Sequence, residues 1–378
     1  MARLRRKKLI LPMAVLAVIV IGLLVAFIVL SRGSMSLDAV RRTLSYMGEE
    51  KTDSGMVGEM TFVNHSGSFI EQYGDGLIVA SRTGVELLDS TGGETLMVSA
   101  PMANPNVTVV GDRAFAYDVG GTNYVVIDGG EATAQREADN EIIAASMNSA
   151  GWLAIATKQT SYKATVYVFD ADNALVLQQN ISSGYVTDVQ VTADCFGLIA
   201  GMCTYSGEFV SRVVRYPISG GGEGEFTISD ELVLAVKCFP GGGICAVTER
   251  NAYFIGKDLS DGEQYSFGSA YLKDFTFSPG DKCVLLLKEY ETGSSGRLVI
   301  LSDSGSVVGD GEIDSEVLAI SAKGKYVAAL CYDKLEIFKD NMHLYGETED
   351  TGAAVDLIMR EDGSVLLLSY GSARIYLP

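Results

Sequence analysis

Residues 161–194 read SYKATVYVFDADNALVLQQNISSGYVTDVQVTAD, three alternating apolar runs, each broken by a polar turn. Alternation with a period of two is the mark of a β-strand with one buried face, and short polar turns join antiparallel neighbours. Such a stretch is either a local hairpin or one unit of a series, and the choice decides the fold.

The rest of the chain argues for a series. An alternating run, a polar turn and a second run rich in Val, Ile, Leu and Ala recur at 107–119, 142–157, 186–201, 232–249, 272–288, 317–331 and 354–369. Each reads as an antiparallel strand pair. A third strand follows each pair, at 123–128, 164–170, 209–217, 251–256, 297–302, 334–339 and 373–378. Most units then add a fourth, more polar strand, as at 174–181, 262–268 and 342–349. With an earlier unit at 69–99 there are eight units, about 40 residues apart, which is the spacing of four-stranded β-propeller blades. The expected fold is an all-β propeller of eight four-stranded blades, or seven if the weak unit beginning at 107 is not a blade of its own. The last unit stops after its third strand at Pro378, and VGEMTFVN (57–64) is free to supply the fourth. That pairing would close the ring and protect an open sheet edge.

The opening stretch, together with FIEQYGDGLIVASRTGVELLDSTGGE (69–94), resembles the DUF5711 family. The resemblance implies a Gram-positive, mainly clostridial protein with an N-terminal transmembrane helix and a WD40-like propeller. The family's name denotes unknown function, so the resemblance implies no catalytic residues. The WD dipeptide itself is absent, and Trp152 is the only tryptophan. Trp152 begins an apolar strand and is expected to pack between blades.

Before the first unit, ARLRRKK precedes an uncharged run from Ile10 to Leu30. Twenty-one residues at ~1.5 Å each give roughly 31 Å of helix, close to the ~30 Å hydrocarbon core of a bilayer. The run is longer than the apolar region of a cleaved signal and ends in Phe27-Ile28-Val29-Leu30 rather than in small residues. It reads as an uncleaved signal anchor. The basic flank keeps the N-terminus in the cytoplasm, which places the following domain outside the cell membrane. Leu37, Val40, Leu44 and Met47 then fall at helical spacing behind Ser36, as in a short stem helix. The expected organisation is a basic tail (1–9), a single-pass transmembrane anchor (10–30), stem helix and linker (31–56), and propeller (57–378).

The formal charge is −19, yet the first 34 residues hold six basic and no acidic side chains, leaving 23 basic against 48 acidic residues downstream. Such a surface repels phosphate backbones and argues against a nucleic-acid partner.

Motifs that carry chemistry are sparse. Only two histidines occur: His65 in the turn NHSGS, and His343 in an outer-strand segment. Neither stands in a catalytic context, and G-x-S-x-G, H-E-x-x-H, Walker and S-x-x-K patterns are missing. SGGGEGE (219–225) lies between strands rather than before a helix, and so reads as a connecting turn. DADN (170–173) has the oxygen spacing that begins a calcium loop but lacks the downstream glutamate. The six cysteines form no C-x-x-C. Cys238 and Cys245, flanking FPGGGI, are the most plausible bridge, with buried free thiols as the default. No catalytic, cofactor-binding or metal-ligating residues are assigned.

Three functions remain open. One is a non-enzymatic, membrane-anchored propeller that binds a protein or envelope polymer. The second is a hydrolase or lyase using channel-mouth carboxylates, and the third a small-ligand or metal sensor signalling through the stem. Exposed aromatics on a flat face would favour the first, and inward carboxylates the other two.

Overall fold

The computed structural model describes residues 42, 46 and 50–378, except 63–66, 220–221, 279–280 and 291–294. The expected membrane span lies outside the described residues. Among those described, no helix is long and apolar enough to cross a membrane. Of the expected stem, Arg42 and Tyr46 are described, joined by a helical hydrogen bond of 3.0 Å from Tyr46 N–H to the Arg42 carbonyl.

The described chain forms thirty-two strands in eight antiparallel four-stranded sheets. Seven blades are consecutive in sequence, spanning 69–98, 105–137, 142–181, 185–229, 233–266, 271–313 and 317–348. Within each, neighbouring strands pair in chain order. The weak unit is a blade in its own right, so the ring has eight blades. The eighth takes its three inner strands from 356–376 and its outer strand from Met56–Thr61. That outer strand pairs antiparallel with Ser372–Tyr376, from Met56 opposite Tyr376 to Thr61 opposite Ser372. Two further bonds extend the seam, from Leu377 N–H to the Gly55 carbonyl (2.9 Å) and from Phe62 N–H to the Gly371 carbonyl (3.0 Å). Gly55 stands at φ +88°, and a Cβ there would lie 2.7 Å from the Tyr376 ring, so this corner needs glycine.

The apolar pattern explains why blades stack. Second strands such as Gly76–Ala80 and Tyr326–Cys331 are buried throughout, because both faces of a blade are covered by neighbours. Side chains on one face of a blade pack against the facing side of the next. The result is eight hydrophobic clusters, each drawn from two adjacent blades. The cluster that joins blade 8 to blade 1 includes Met60, Leu77, Leu366 and Ala373. Trp152 packs against the cluster between blades 3 and 4.

Antiparallel order gives the ring two unlike faces. The turn face carries the links between first and second strands and between third and fourth. The crossover face carries the second-to-third links and the passages from blade to blade. Chain polarity brings the N-terminal segment in on the turn face, where Met56 lies beside Tyr376.

Met60 is 2% exposed and belongs to the closing strand. Met60→Ala is expected to cost about 2–4 kcal/mol, as much as truncation in any central strand, measured by urea unfolding of the full chain.

Candidate binding face and channel

The first strand of each blade lines the axis of the ring. Around it lies a cavity of about 1230 Å³ that reaches the turn face at Asp75, Asp112 and Asp362 and holds Glu71, Lys237, Lys323 and Arg360. Burial raises the Glu71 carboxyl above its ordinary range, with Lys323 opposing the shift. Burial likewise lowers the Lys237 ammonium.

Toward the crossover face the inner strands carry a recurring irregularity. A β-bulge follows Ile142, Val186, Val233, Leu272 and Val317. The residue at the far side of it is Ala144, Asp188, Ala235, Asp274 or Ala319, and the matching position in blade 8 is Asp356. Aspartate and alanine therefore alternate over six blades. Small side chains leave room beside each carboxylate. Each aspartate accepts the N–H of the next residue, Val189, Phe275 or Leu357, at 2.8 Å. Asp188 also accepts the Val236 N–H of the next blade at 2.9 Å. Burial raises all three, Asp188 to about 6, with Lys237 the nearest opposing charge. The charge of Asp274 adds to the rise at Asp356, and that of Asp356 adds to the rise at Glu71.

Around this acidic mouth the crossover face is studded with tyrosines. Tyr205, Tyr290, Tyr332 and Tyr370, at or just past the ends of the second strands of blades 4, 6, 7 and 8, are 67, 69, 78 and 75% exposed. Tyr185 and Tyr271 open the first strands of blades 4 and 6, and both are exposed. The Phe209 ring lies tilted beside Tyr205, with centroids 5.0 Å apart. A recess of about 460 Å³ is lined by Ser269, Tyr271, Glu289 and Tyr290. Beneath blades 4 and 5, buried Glu231 braces this side by accepting from Thr248, from Asn251 Nδ2 (2.6 Å) and from Tyr253 Oη (2.8 Å).

On the opposite face, the stem touches blades 7 and 8. Arg42 Nη1 donates to Tyr345 Oη at 2.9 Å, and its guanidinium lies 5.6 Å from that ring's centroid. Tyr46 Oη accepts from Arg360 Nη1 and lies 3.3 Å from Ser364 Oγ.

The residues weighed in the sequence fall away from this site. His65 lies outside the described residues. His343 is exposed beside a third-to-fourth turn, its N–H donating to Asn341 Oδ1 at 3.2 Å. DADN is a structural turn: Asp170 Oδ1 accepts the N–H groups of Asp172 (3.0 Å) and Ala174 (2.9 Å), while Arg113 of blade 2 grips the Ala171 carbonyl and Asn173. Among the described residues no group of three or more His, Cys, Asp or Glu side chains converges to hold a metal. The Cys238–Cys245 bridge is not formed, and all six cysteines are free. Cys238 pairs with Ile244 and Cys245 with Lys237, so alternation turns the two thiols to opposite faces of the sheet. Cys245 instead meets Cys283 of blade 6, and burial raises its thiol well above the ordinary range.

The axial aspartates and the tyrosine face were not singled out from sequence, although CTYSGE, LKEYET, LCYDK and LSYGS repeat a tyrosine after the second strand. That repeat was the available signal.

These features define an eight-bladed propeller with an acidic axial mouth ringed by aromatics. A model described as "Family of unknown function (DUF5711)" matches residues 49–349, and the chain belongs to that family. Solved structures share the fold at low identity. BamB from Moraxella catarrhalis is 17% identical with a TM-score of 0.53, over 85% of this chain and 97% of that one. The C-terminal WD40 domain of Sif2 is 10% identical with a TM-score of 0.59, over the same shares, 85% and 97%. No curated protein matches the sequence.

Asp188 supplies a pH test. Its folded carboxyl, at about 6, binds its proton more tightly than an unfolded aspartate, so its contribution to stability falls as pH rises from about 4 through 6. Asp188→Asn should gain relative to the native chain between pH 5 and pH 8 in thermal melts. Asp188→Ala leaves the Val189 and Val236 N–H groups unpaired and should lose about 1–3 kcal/mol.

Proposed function

We propose that this protein is a membrane-anchored, non-enzymatic recognition propeller, single-pass with its N-terminus in the cytoplasm, whose crossover face binds a protein or envelope polymer outside the cell. The observation that carries this reading is the set of exposed tyrosines on the face opposite the one by which the chain enters the ring. Tyrosine supplies large, stiff contact area at little entropic cost and is enriched in binding surfaces. An anchor at 10–30 would sit on the turn-face side and leave the crossover face pointing away from the membrane. Asp188 accepts N–H groups of its own strand and of the next blade's, a duty that ties those two inner strands together, while Asp274 and Asp356 accept within their own strands.

A second reading attaches to the turn-face cavity, where Glu71 with its raised pKa stands among Lys237, Lys323 and Arg360. These residues suit a small polar ligand or substrate. Ester, glycoside, lactone or phosphate turnover abolished by Glu71→Gln would select it.

Two measurements test the main proposal. Protease added to wall-stripped, membrane-intact cells should digest or release the region after residue 34, and protection of that region would reverse the assigned side. Capture of partners by crosslinking from the native membrane should fall at least tenfold when Tyr205, Tyr332 and Tyr370 are together changed to Ala. Unchanged capture would move recognition off this face.

A further inference from the structure

The tyrosine face also carries a sign of charge. Exposed Glu208, Glu289, Glu316 and Asp333 lie among the rings, and Asp188, Asp274 and Asp356 line the axial mouth behind them. Several cations of the same face pair with carboxylates, while Lys273 stands exposed between Tyr271 and Asp274, where burial raises the Asp274 carboxyl and the Lys273 charge lowers it. Lys158 pairs with Glu141, Arg250 with Asp230 and Glu249, and Lys334 with Glu336. Lys163 shows what the surface accepts: its Nζ lies 4.3 Å from the centroid of the Tyr185 ring and 2.9 Å from the hydroxyl. An ammonium over an aromatic face gains from the ring's quadrupole, and a carboxylate nearby adds Coulomb attraction. At the blade 6 recess these elements are combined, since Tyr271 and Tyr290 supply rings, Glu289 a carboxylate and Ser269 a hydroxyl, around about 460 Å³.

We infer that the crossover face recognises a lysine- or arginine-rich protein segment, and that the recess formed by Ser269, Tyr271, Glu289 and Tyr290 seats one of its cationic side chains. The inference rests on the crossover face being the recognition surface. Charge complementarity selects this occupant: the domain is strongly acidic, and a basic chain would meet both the rim carboxylates and the axial aspartates. A neutral glycan would use the rings alone.

The test uses the full chain in detergent micelles and a fluorescein-labelled octapeptide of alternating lysine and serine, followed by anisotropy at physiological salt. The same peptide with acetylated lysines keeps the backbone and removes the charge. The lysine peptide should bind at least tenfold more tightly than the acetylated one. Glu289→Gln should weaken it severalfold, and Tyr271→Ala with Tyr290→Ala at least tenfold. Tyr271→Phe with Tyr290→Phe keeps the rings and should stay within about twofold, which also separates recognition from misfolding. Asp172→Asn removes one exposed carboxylate from a third-to-fourth turn on the turn face and should change nothing. Equal losses from Asp172→Asn and Glu289→Gln would reduce the effect to diffuse charge and overturn the site. Equal binding of the acetylated peptide would overturn the cation preference. A chitin oligosaccharide that binds through the tyrosines while the lysine peptide does not would replace the protein segment by a polymer. If the peptide fails but partner capture still depends on Tyr205, Tyr332 and Tyr370, the partner class falls and the recognition face stands.

Discussion

A propeller has no single core, and its blades are held by contacts between neighbours, so everything depends on the ring being closed. Here closure is made by one backbone ladder, in which Met56–Thr61 completes the blade begun by 356–376. Without it, Ser372–Tyr376 would be an open edge and the apolar cluster shared by Met60, Leu77 and Leu366 would lose a wall. An open edge is both a loss of hydrogen bonds and an invitation to unwanted pairing. Because each cluster spans two blades, loosening at the seam removes support from the blades on either side, and the geometry of both faces is set by the same closure.

Closure also fixes the axis. Bulges in the inner strands of blades 4 and 6 place Asp188 and Asp274 at the level that Asp356 takes in blade 8, and the alanines at the matching positions between them give each carboxylate space. A carboxylate drawn partly out of water is costly unless hydrogen-bonded, and each of the three accepts a backbone N–H. Asp188 ties its inner strand to that of the next blade through the Val236 N–H, and the mouth is left negative. Tyr205, Tyr332 and Tyr370 stand at short turns between strands, which limits the freedom of the backbone that carries them before any partner arrives.

Much of this architecture was legible in the residues. Period-two alternation marked the strands, because each blade buries both faces of its middle strands and leaves the outer one polar, as the contrast between ATVYVF (164–169) and LVLQQNI (175–181) shows. The weak unit at 105–137 was harder, since its first strand, Pro105–Val110, is only partly buried and its apolar signal correspondingly faint. The functional surface was less legible for a different reason. Tyr332 reads as an ordinary strand-end residue until its place in the blade is known, and Asp274 reads as a solvent-facing polar residue until the bulge that turns it inward is seen. Side-chain direction at a bulge departs from simple alternation, so counting residues cannot recover it. The cysteines make the converse point: Cys238 and Cys245 are close in sequence, and one residue of register separates their thiols by the thickness of the sheet.

The seam has a consequence in time. The closing strand is made early, yet its partner Ser372–Tyr376 follows roughly 300 residues later, which at about 5–20 residues per second is some 15–60 seconds of synthesis. During that interval seven blades can form and stack in order while Met56–Thr61 stays unpaired beside the point where the chain enters the ring. Folding of this molecule is therefore gated by its last-made strands. Whatever shields that waiting segment governs yield more than the stability of the finished ring.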